Sequence, residues 1–389
     1  MNNEQLARAL LEAVRAQRFE ETPDALQNGG PVGVHPSIDL AVVAFPSGGS
    51  EAIHANVLFS REFPEGVVAA IDIVDGPVRN IRYVADLQDQ MGVSIAWQPG
   101  SDWRRLHLRP LMGQGPYRFI SPYPASLFKL LVLVGCGRVV DAGRSQWETR
   151  VAADCGTRSL ADWAMDMIKD SSNEATTVLV GHLHACGLLG GEDRGPHALH
   201  RLFAAQGLAG LRVSGTRGDG GWNNSSGAGV GQLQMTAWDT ARLLWLLAPD
   251  APHPPWLPEG TPALLGEESL NTVLNCLREQ RLHDALSSGA LAGLPDFVHG
   301  IPAHLPGAAE DSAGSGDVIF MHKTGNTENY GSNAGIVRAK KAGGRHYVVA
   351  MTSNLGSRYA PSPACATTWK VPALGAAIDK VMKEFLEAA

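Results

Sequence analysis

Strand-type and helix-type segments occupy separate parts of this 389-residue chain. A helical pattern over residues 5–20 comes first, short strand-type runs follow, and helical periodicity then prevails from Ser126 to about Leu247. Strand-type runs return between 317 and 354, ahead of a last helix at 373–388. Such segregation favours an α+β fold over a doubly wound parallel sheet. The predicted strands are 38–45, 53–60, 67–74, 93–97, 105–110, 317–325, 332–339 and 346–354.

The order of these segments predicts a single domain with two lobes. We expect the first and last strand groups to join in one antiparallel sheet, within a lobe formed by residues 1–120 and 300–389 and flanked by the terminal helices. Residues 121–299 are expected to form an all-helical lobe. The cleft between the lobes is the predicted functional site.

Composition and charge restrict the partners. Lysine and arginine number 32 against 39 acidic residues, so the net charge of -7 lacks the basic surplus that nucleic acid or an anionic membrane attracts. The longest apolar runs, such as 127–135, fall short of the roughly 18 to 20 residues that span a bilayer. Residues 1–21 show no signal-peptide pattern, which predicts a cytoplasmic protein, or a periplasmic or secreted one if a leader has been removed.

A serine and a lysine stand three residues apart where an apolar helix is predicted to begin. Ser126 and Lys129 occupy positions i and i+3, which share one face of a helix, so the amine can reach the hydroxyl. Such a pair can act as nucleophile and general base. The alternative is a serine that caps the helix and a lysine that extends to solvent.

Two further polar segments can complete a site. Ser171 and Asn173 follow a predicted helix, where a hydroxyl can relay a proton and an amide can hold a substrate carbonyl. At the end of a late strand, Lys323 and Thr324 can bind a carboxylate, and Gly325 lets a substrate backbone lie against the strand edge. Each segment taken alone is also an ordinary helix cap or strand-end turn.

Together the three segments follow the order Ser-x-x-Lys, Ser-x-Asn and Lys-Thr-Gly. In this order and in these contexts the chain resembles class A β-lactamases and penicillin-binding proteins of the DD-peptidase type, from about residue 121 to the C-terminus. The resemblance implies a β-lactamase/transpeptidase-like fold. It also implies that residues 61–118 are an insertion that is atypical of the family.

The resemblance implies a role for each residue. Ser126 would attack an amide or lactam carbonyl and become acylated, Lys129 would take its proton, and the backbone N–H groups of Ser126 and Asn326 would stabilise the oxyanion. Ser171 would pass a proton to the leaving nitrogen. Asn173 would hold the side-chain amide of the substrate. Lys323 and Thr324 would bind the carboxylate of the substrate, and Gly325 would let the substrate backbone lie against the strand edge.

A glycine-rich loop contains a candidate for the residue that activates water. Class A β-lactamases carry Arg-x-Glu-x-x-Leu-Asn, whose glutamate activates the water that hydrolyses the acyl-enzyme. Residues 217–223 have this spacing, with Asp219 in place of the glutamate and Asn223 as a substrate-binding candidate. Because an aspartate is about 1.5 Å shorter, we expect slow or altered deacylation. The alternative is a flexible loop without a catalytic role.

Two other groupings suggest different chemistry. One is a set of histidine and cysteine side chains, which are common metal ligands. Side chains at positions i and i+2 of a helix point in different directions, and no carboxylate is placed to support the histidines. No metal is therefore predicted. The members of this set are His182, His184, Cys186, His197 and His200. The other is the glycine run 227–231, which lacks the preceding strand and the later acid of a dinucleotide site. We expect no cofactor.

The leading interpretation is a β-lactamase-like serine hydrolase that acts on a small amide or lactam substrate with a carboxylate. One alternative is a D-amino-acid peptidase, a transpeptidase or an esterase of a biosynthetic pathway. Another is a β-lactam-binding sensor in which Ser126 stays acylated. Turnover after acylation separates the sensor from the enzymes.

Overall fold

A computed structural model of the chain describes residues 2–48, 51–69, 100–105, 124–191, 196–208, 210–222, 233–309 and 314–387, and the backbone of 79–80 and 117–118. Its helices are α1 (Asn3–Arg15), α2 (Lys129–Asp141), α3 (Leu160–Lys169), α4 (Asn173–Ala185), α5 (Ala198–Ala205), α6 (Ala237–Leu247), α7 (Glu267–Arg278) and α8 (Lys370–Leu386). Its strands are β1 (Ile38–Ala44), β2 (Ile53–Ser60), β3 (Phe63–Val68), β4 (Arg79–Asn80), β5 (Tyr117–Arg118), β6 (Arg150–Ala153), β7 (Gly156–Ser159), β8 (Arg212–Val213), β9 (Leu233–Gln234), β10 (Val318–Asn326), β11 (Gly331–Ala339) and β12 (His346–Ser353).

The first and last strand groups join in one antiparallel sheet, as predicted. The strand order is β10-β11-β12-β1-β2-β3, with β1 paired to β12 on one side and to β2 on the other. Every residue of β1 is buried, which requires cover on both faces of the sheet. Helix α1 packs on β2, and α6 packs on β1, β11 and β12. The fold is therefore α+β, and β10 lies at one edge of the sheet.

The second lobe is built around α2. Nearly all residues of this helix are buried, and α3, α4 and α7 pack against it. Its apolar sequence predicts such burial, because a helix that is hydrophobic on all sides needs neighbours on all sides. The lobe also contains the short hairpins β6–β7 and β8–β9, so the expectation of an all-helical lobe is corrected in this detail.

Several predicted features lie partly or wholly outside the described residues. The predicted strand at 93–97, and most of those at 67–74 and 105–110, lie outside them. Strand β3 belongs to the segment interpreted as an insertion, yet it pairs with β2 and extends the sheet. The family-atypical character of 61–118 stays a prediction. Among the described residues, no helix is long and apolar enough to cross a bilayer.

Candidate active site

The three predicted motifs meet where the helical lobe contacts the edge strand β10. Lys129, at the start of α2, donates from Nζ to the backbone oxygen of Ser171 at 2.6 Å and to Oδ1 of Asn173 at 2.8 Å. Lys323, on β10, donates from Nζ to Oγ of Ser171 at 3.0 Å. Residues far apart in sequence therefore form one hydrogen-bonded cluster, as their shared motif order predicts.

Ser171 is the centre of this cluster because its hydroxyl lies between two lysines. Its Oγ is 3.2 Å from Nζ of Lys129 and 3.0 Å from Nζ of Lys323. The residue is held at φ 55°, in the left-handed region that non-glycine residues seldom adopt. Ala125, directly before Ser126, also has a positive φ of 49°. Backbone strain of this kind persists where the surrounding structure fixes a functional geometry.

Burial of the two lysines changes their protonation. Both side chains are 0% exposed. Burial lowers the pKa of Lys129 to about 7, and no carboxylate of the described residues opposes this shift. Burial, and then the charge of Lys129, lower the pKa of Lys323 well below its usual value, whereas the carboxylate of Asp284 raises it. Two ammonium groups this close repel each other, so the site favours a single charge.

The two lysine amines differ in the number of acceptors around them. A neutral amine has two N–H donors and one lone pair, whereas an ammonium has three donors and no lone pair. Nζ of Lys129 donates to Ser171 O, Ser171 Oγ and Asn173 Oδ1, three acceptors for the three N–H groups of an ammonium. Nζ of Lys323 donates to two acceptors, Ser171 Oγ and, at 2.9 Å, the backbone oxygen of Thr324. The arrangement thus places a buried amine on each side of the Ser171 hydroxyl.

Ser126 lies in a 3-10 turn, Ala125–Phe128, so the predicted helix start is displaced to Lys129. In a 3-10 turn residues i and i+3 eclipse, which keeps Ser126 and Lys129 on one side. The predicted contact between them is not made as a hydrogen bond, because the amine is held by Ser171 and Asn173, and Ser126 Oγ bonds to none of the described residues. Catalytic hydrogen bonds often form only when substrate is bound.

Gly325 also has a structural role that the sequence analysis did not predict. A Cβ atom at this residue would lie 2.7 Å from the backbone oxygen of Pro124 and 2.8 Å from the backbone nitrogen of Leu127. Only glycine lets β10 approach the turn that carries Ser126 so closely. The residue therefore sets the distance between the nucleophile turn and Lys323. Its proposed contact with substrate remains a prediction.

The other predicted binding residues flank the same cluster. Thr324 is nearly fully buried beside Lys323, and Asn326 is exposed at the end of β10. Asn173 is exposed, and its Oδ1 accepts from Lys129. Asn333, which the sequence analysis did not identify, donates from Nδ2 to the backbone oxygen of Lys323 at 3.0 Å. The one sequence signal for it is an asparagine inside an apolar strand.

The structure does not bring Asp219 to this cluster. Residues 216–222 form a tight turn, in which Arg217 N donates to Gly221 O at 2.8 Å and Thr216 pairs with Trp222. The Asp219 side chain is 72% exposed, 3.6 Å from the Arg217 guanidinium, and its Oδ1 accepts from Gly221 N. The turn instead directs Trp222 inward onto Phe128. Asn223 lies outside the described residues, as does the glycine run 227–231.

Because Asp219 is exposed, we expect its replacement to have little effect on the reaction rates. Replacing Asp219 with asparagine should change both the acylation and the deacylation rate by no more than about twofold, because an exposed side chain without contact to the reacting groups contributes little. Single-turnover acylation and acyl-enzyme decay measure the two rates separately. Accumulation of the acyl-enzyme in Asp219→Asn would show that the turn moves inward when substrate binds, and would restore the water-activating role.

The histidine and cysteine grouping is used for structural hydrogen bonds. His184 bonds to Thr216 Oγ1 at 3.0 Å, and His182 bonds to Ser145 Oγ at 3.1 Å. His197 and His200 bond the backbone of residue 213. Within the described residues, no cluster of three or more histidine, cysteine, aspartate or glutamate side chains is placed to hold a metal ion.

Comparison with known proteins identifies a family and a fold for the chain. The profile of the beta-lactamase enzyme family matches residues 121–367, which is more than half of the chain. The structure of the TLA-1 extended-spectrum β-lactamase is similar at a TM-score of 0.51 and 10% identity, over 99% of this chain and 100% of that one. This likeness supports the fold. No curated protein sequence matches the chain significantly.

Two further solved structures have weaker likenesses. One is a β-lactamase from Sphaerobacter thermophilus, with a TM-score of 0.49 and 14% identity over 98% of each chain. The other is a PBP-A mutant in an acyl-enzyme complex with penicillin G, with a TM-score of 0.49 and 15% identity over 100% of this chain and 97% of that one.

Proposed function

The chain belongs to the β-lactamase enzyme family, and we propose that it is a serine hydrolase in which Ser126 is acylated by a β-lactam or a related amide carrying a carboxylate. The observation that carries the proposal is the Ser171 hydroxyl bridging two buried lysines beside the Ser126 turn. Together with Ser126 on the adjacent turn, this cluster supplies the four groups that acylation by such a substrate needs: a nucleophile, a base, a proton relay and a donor for the carboxylate.

In the proposed acylation step, the Ser126 oxygen bonds to the substrate carbonyl carbon as neutral Lys129 takes the hydroxyl proton. The electron pair of the carbonyl moves to its oxygen, where the backbone N–H groups of Ser126 and Asn326 stabilise the negative charge. The carbon–nitrogen bond then breaks, and the nitrogen receives a proton from Ser171, which is replaced from Lys129. Lys323 binds the carboxylate of the substrate throughout.

The fate of the acyl-enzyme separates hydrolysis from lasting acylation. Asp219 is exposed, and no carboxylate of the described residues acts on the pKa of Lys129. These observations favour slow attack of water, with Lys129 or a residue outside the described part as its base. A penicillin-binding protein that stays acylated for long periods is therefore the second candidate function.

Mass spectrometry of the intact protein tests the proposal. Penicillin G should add its full mass to the protein, since opening the lactam ring releases no fragment, and peptide mapping should place the adduct on Ser126. Ser126→Ala should form no adduct, whereas Ser47→Ala, at an exposed serine remote from the cluster, should react like the parent. An adduct on any other serine would contradict the proposal. The decay of the adduct over time distinguishes the two candidate functions.

A further inference from the structure

The turn between β10 and β11 directly follows the predicted binding residues of β10. Asn326 is the last residue of β10 and pairs with Gly331 on β11, so the turn consists of residues 327–330. The proposed acylation uses the backbone N–H of Asn326 as an oxyanion donor, and such a donor must lie about 2.7 to 3.1 Å from the oxygen that it stabilises. Whatever holds the turn in place therefore also holds this N–H group.

A short segment after β12 lies against this turn. Ser357 N donates to Thr327 O at 2.9 Å, and Arg358 N donates to Glu328 O at 3.1 Å. The two segments are so close that a Cβ atom at Gly356 would lie 1.9 Å from Thr327 O. The segment after β12 thus supports the turn.

The side chain of Arg358 fixes this segment through a buried ion pair. It is 1% exposed, and the side chain of Asp24 is 0% exposed. Nε of Arg358 donates to Oδ1 of Asp24 at 2.7 Å, and Nη2 donates to Oδ2 at 2.6 Å. Because a guanidinium presents its donors in a rigid fork, these two bonds set its orientation as well as its position. Asp24 is itself held, since it accepts from Leu26 N and from Gln27 Nε2, each at 2.9 Å.

The third nitrogen of Arg358 joins two further segments. Nη1 donates to Ser101 O at 2.6 Å and lies 3.5 Å from Oδ1 of Asn329, within the turn. The residue before Ser101 also bonds to the turn, since Gly100 N donates to Glu328 Oε1 at 2.6 Å. One buried guanidinium therefore connects the chain after α1, the segment around Ser101 and the β10–β11 turn.

We infer that Arg358 is a positioning residue for acylation, which is held by Asp24 and in turn holds the β10–β11 turn so that the Asn326 N–H faces the oxyanion. The inference rests on the proposed function. It gives a purpose to an ion pair whose burial is by itself weak evidence for stability, because the loss of hydration offsets the attraction between the charges.

Arg345 provides a matched comparison at the other end of the sheet. Its side chain is also 1% exposed, and its Nε and Nη2 donate to the two carboxylate oxygens of Asp379 at 2.8 and 2.9 Å. It directly precedes β12, whose far end, Ser353, pairs with Gly331 beside Asn326. Arg345 thus has the same kind of buried ion pair at a distance from the proposed oxyanion donor.

The test is Arg358→Lys, which keeps a charge beside Asp24 but loses the fork, measured by single-turnover acylation with a range of penicillin G concentrations. The maximal rate constant should fall by about 10- to 100-fold, because a displacement of about 1 Å in a reacting geometry has effects of this size. The concentration that gives the half-maximal rate should stay as in the parent, since an oxyanion donor acts in the transition state. The rate constant, unlike the amplitude, does not depend on the fraction of folded protein.

Two further variants separate positioning from stability. Arg345→Lys should also lower the melting temperature, but it should be acylated with the rate constant of the parent. The double variant Asp24→Asn with Arg358→Met removes both buried charges, so it should retain the fold without restoring the rate. A purely structural role of Arg358 would lower the amplitude and the melting temperature and leave the rate constant unchanged.

The outcomes distinguish this inference from the proposed function. An equal fall of the rate constant in Arg345→Lys, or the rate constant of the parent in the double variant, would overturn the inference. If the parent protein is not acylated at Ser126, the proposed function itself fails. Acylation of the parent at Ser126 with an unaltered rate constant in Arg358→Lys rejects the inference alone.

Discussion

Replacing Lys129 with methionine is expected to slow acylation of Ser126 by about 100- to 10,000-fold, the range for loss of a general base. Methionine has a similar length and keeps the buried position filled, but it lacks the lone pair that takes the Ser126 proton. It also releases the Ser171 hydroxyl and the Asn173 amide that Lys129 now holds. Stopped-flow acylation with a chromogenic cephalosporin measures the rate.

The pH dependence gives a sharper test than the rate alone. A base must be unprotonated, and burial lowers the pKa of Lys129 to about 7, so acylation by the parent should rise as pH passes through about 7. This limb should be absent in Lys129→Met. Lys380→Met, at an exposed lysine of α8, should keep both the rate and the limb. A limb near pH 7 that survives in Lys129→Met would assign the base to another group.

The stability of Lys129→Met should not fall with its activity. The unfolded chain holds a proton on Lys129 up to its usual pKa of 10.5, whereas the folded chain releases it from about pH 7. Since the unfolded state binds more protons in this interval, the free energy of unfolding should rise with pH across it. Lys129→Met removes this rise and should be at least as stable as the parent at pH 7. Reduced activity without reduced stability is the mark of a functional residue.

The fold class could be predicted because it depends on local periodicity. Short, turn-bounded runs such as 53–60 form strands with the predicted bounds, and nearly all residues of the apolar α2 are buried. The joining of distant strands in one sheet follows from their segregation in the sequence. Short hairpins such as β8–β9 were missed, because two residues per strand give no periodic signal.

The candidate site was only partly predictable. The motif order identified Ser126, Lys129, Ser171 and Lys323, and the structure brings the last three into one hydrogen-bonded cluster. Sequence spacing does not show which partner a side chain selects in three dimensions, so the two lysines on Ser171 and the contact of Gly325 with the Ser126 turn required the structure.

Asp219 shows that matching sequence spacing does not by itself place a residue at the site. The residue stands at the expected distance in a seven-residue pattern, but the glycines around it allow a tight turn that directs the carboxylate to solvent. A pattern fixes the number of residues, whereas the conformation decides which face each one presents. Glycine-rich segments leave that conformation undetermined, because glycine adopts both signs of φ.

Replacing Lys323 with alanine is expected to cost about 2 to 4 kcal/mol in kcat/KM for a substrate with a free carboxylate, a factor of about 30 to 1,000. The methyl ester of the same substrate should lose much less, because it has no anion for the lysine to bind. Rates for the acid and the ester, measured on the same protein preparations, give the ratio. Equal losses would show that Lys323 does not bind the carboxylate.

The ratio of the acid rate to the ester rate separates carboxylate binding from the other effects of Lys323→Ala. Lys323→Ala also removes the amine that lowers the pKa of the buried Asp284 carboxyl, and loss of one partner of a buried charge pair destabilises a fold by about 3 to 5 kcal/mol. Such destabilisation lowers both rates together and leaves their ratio unchanged. The double variant Lys323→Ala with Asp284→Asn removes both charges, so it should recover stability but not the preference for the acid. Recovery of that preference would mean that Asp284, and not the lost ammonium, had caused the discrimination.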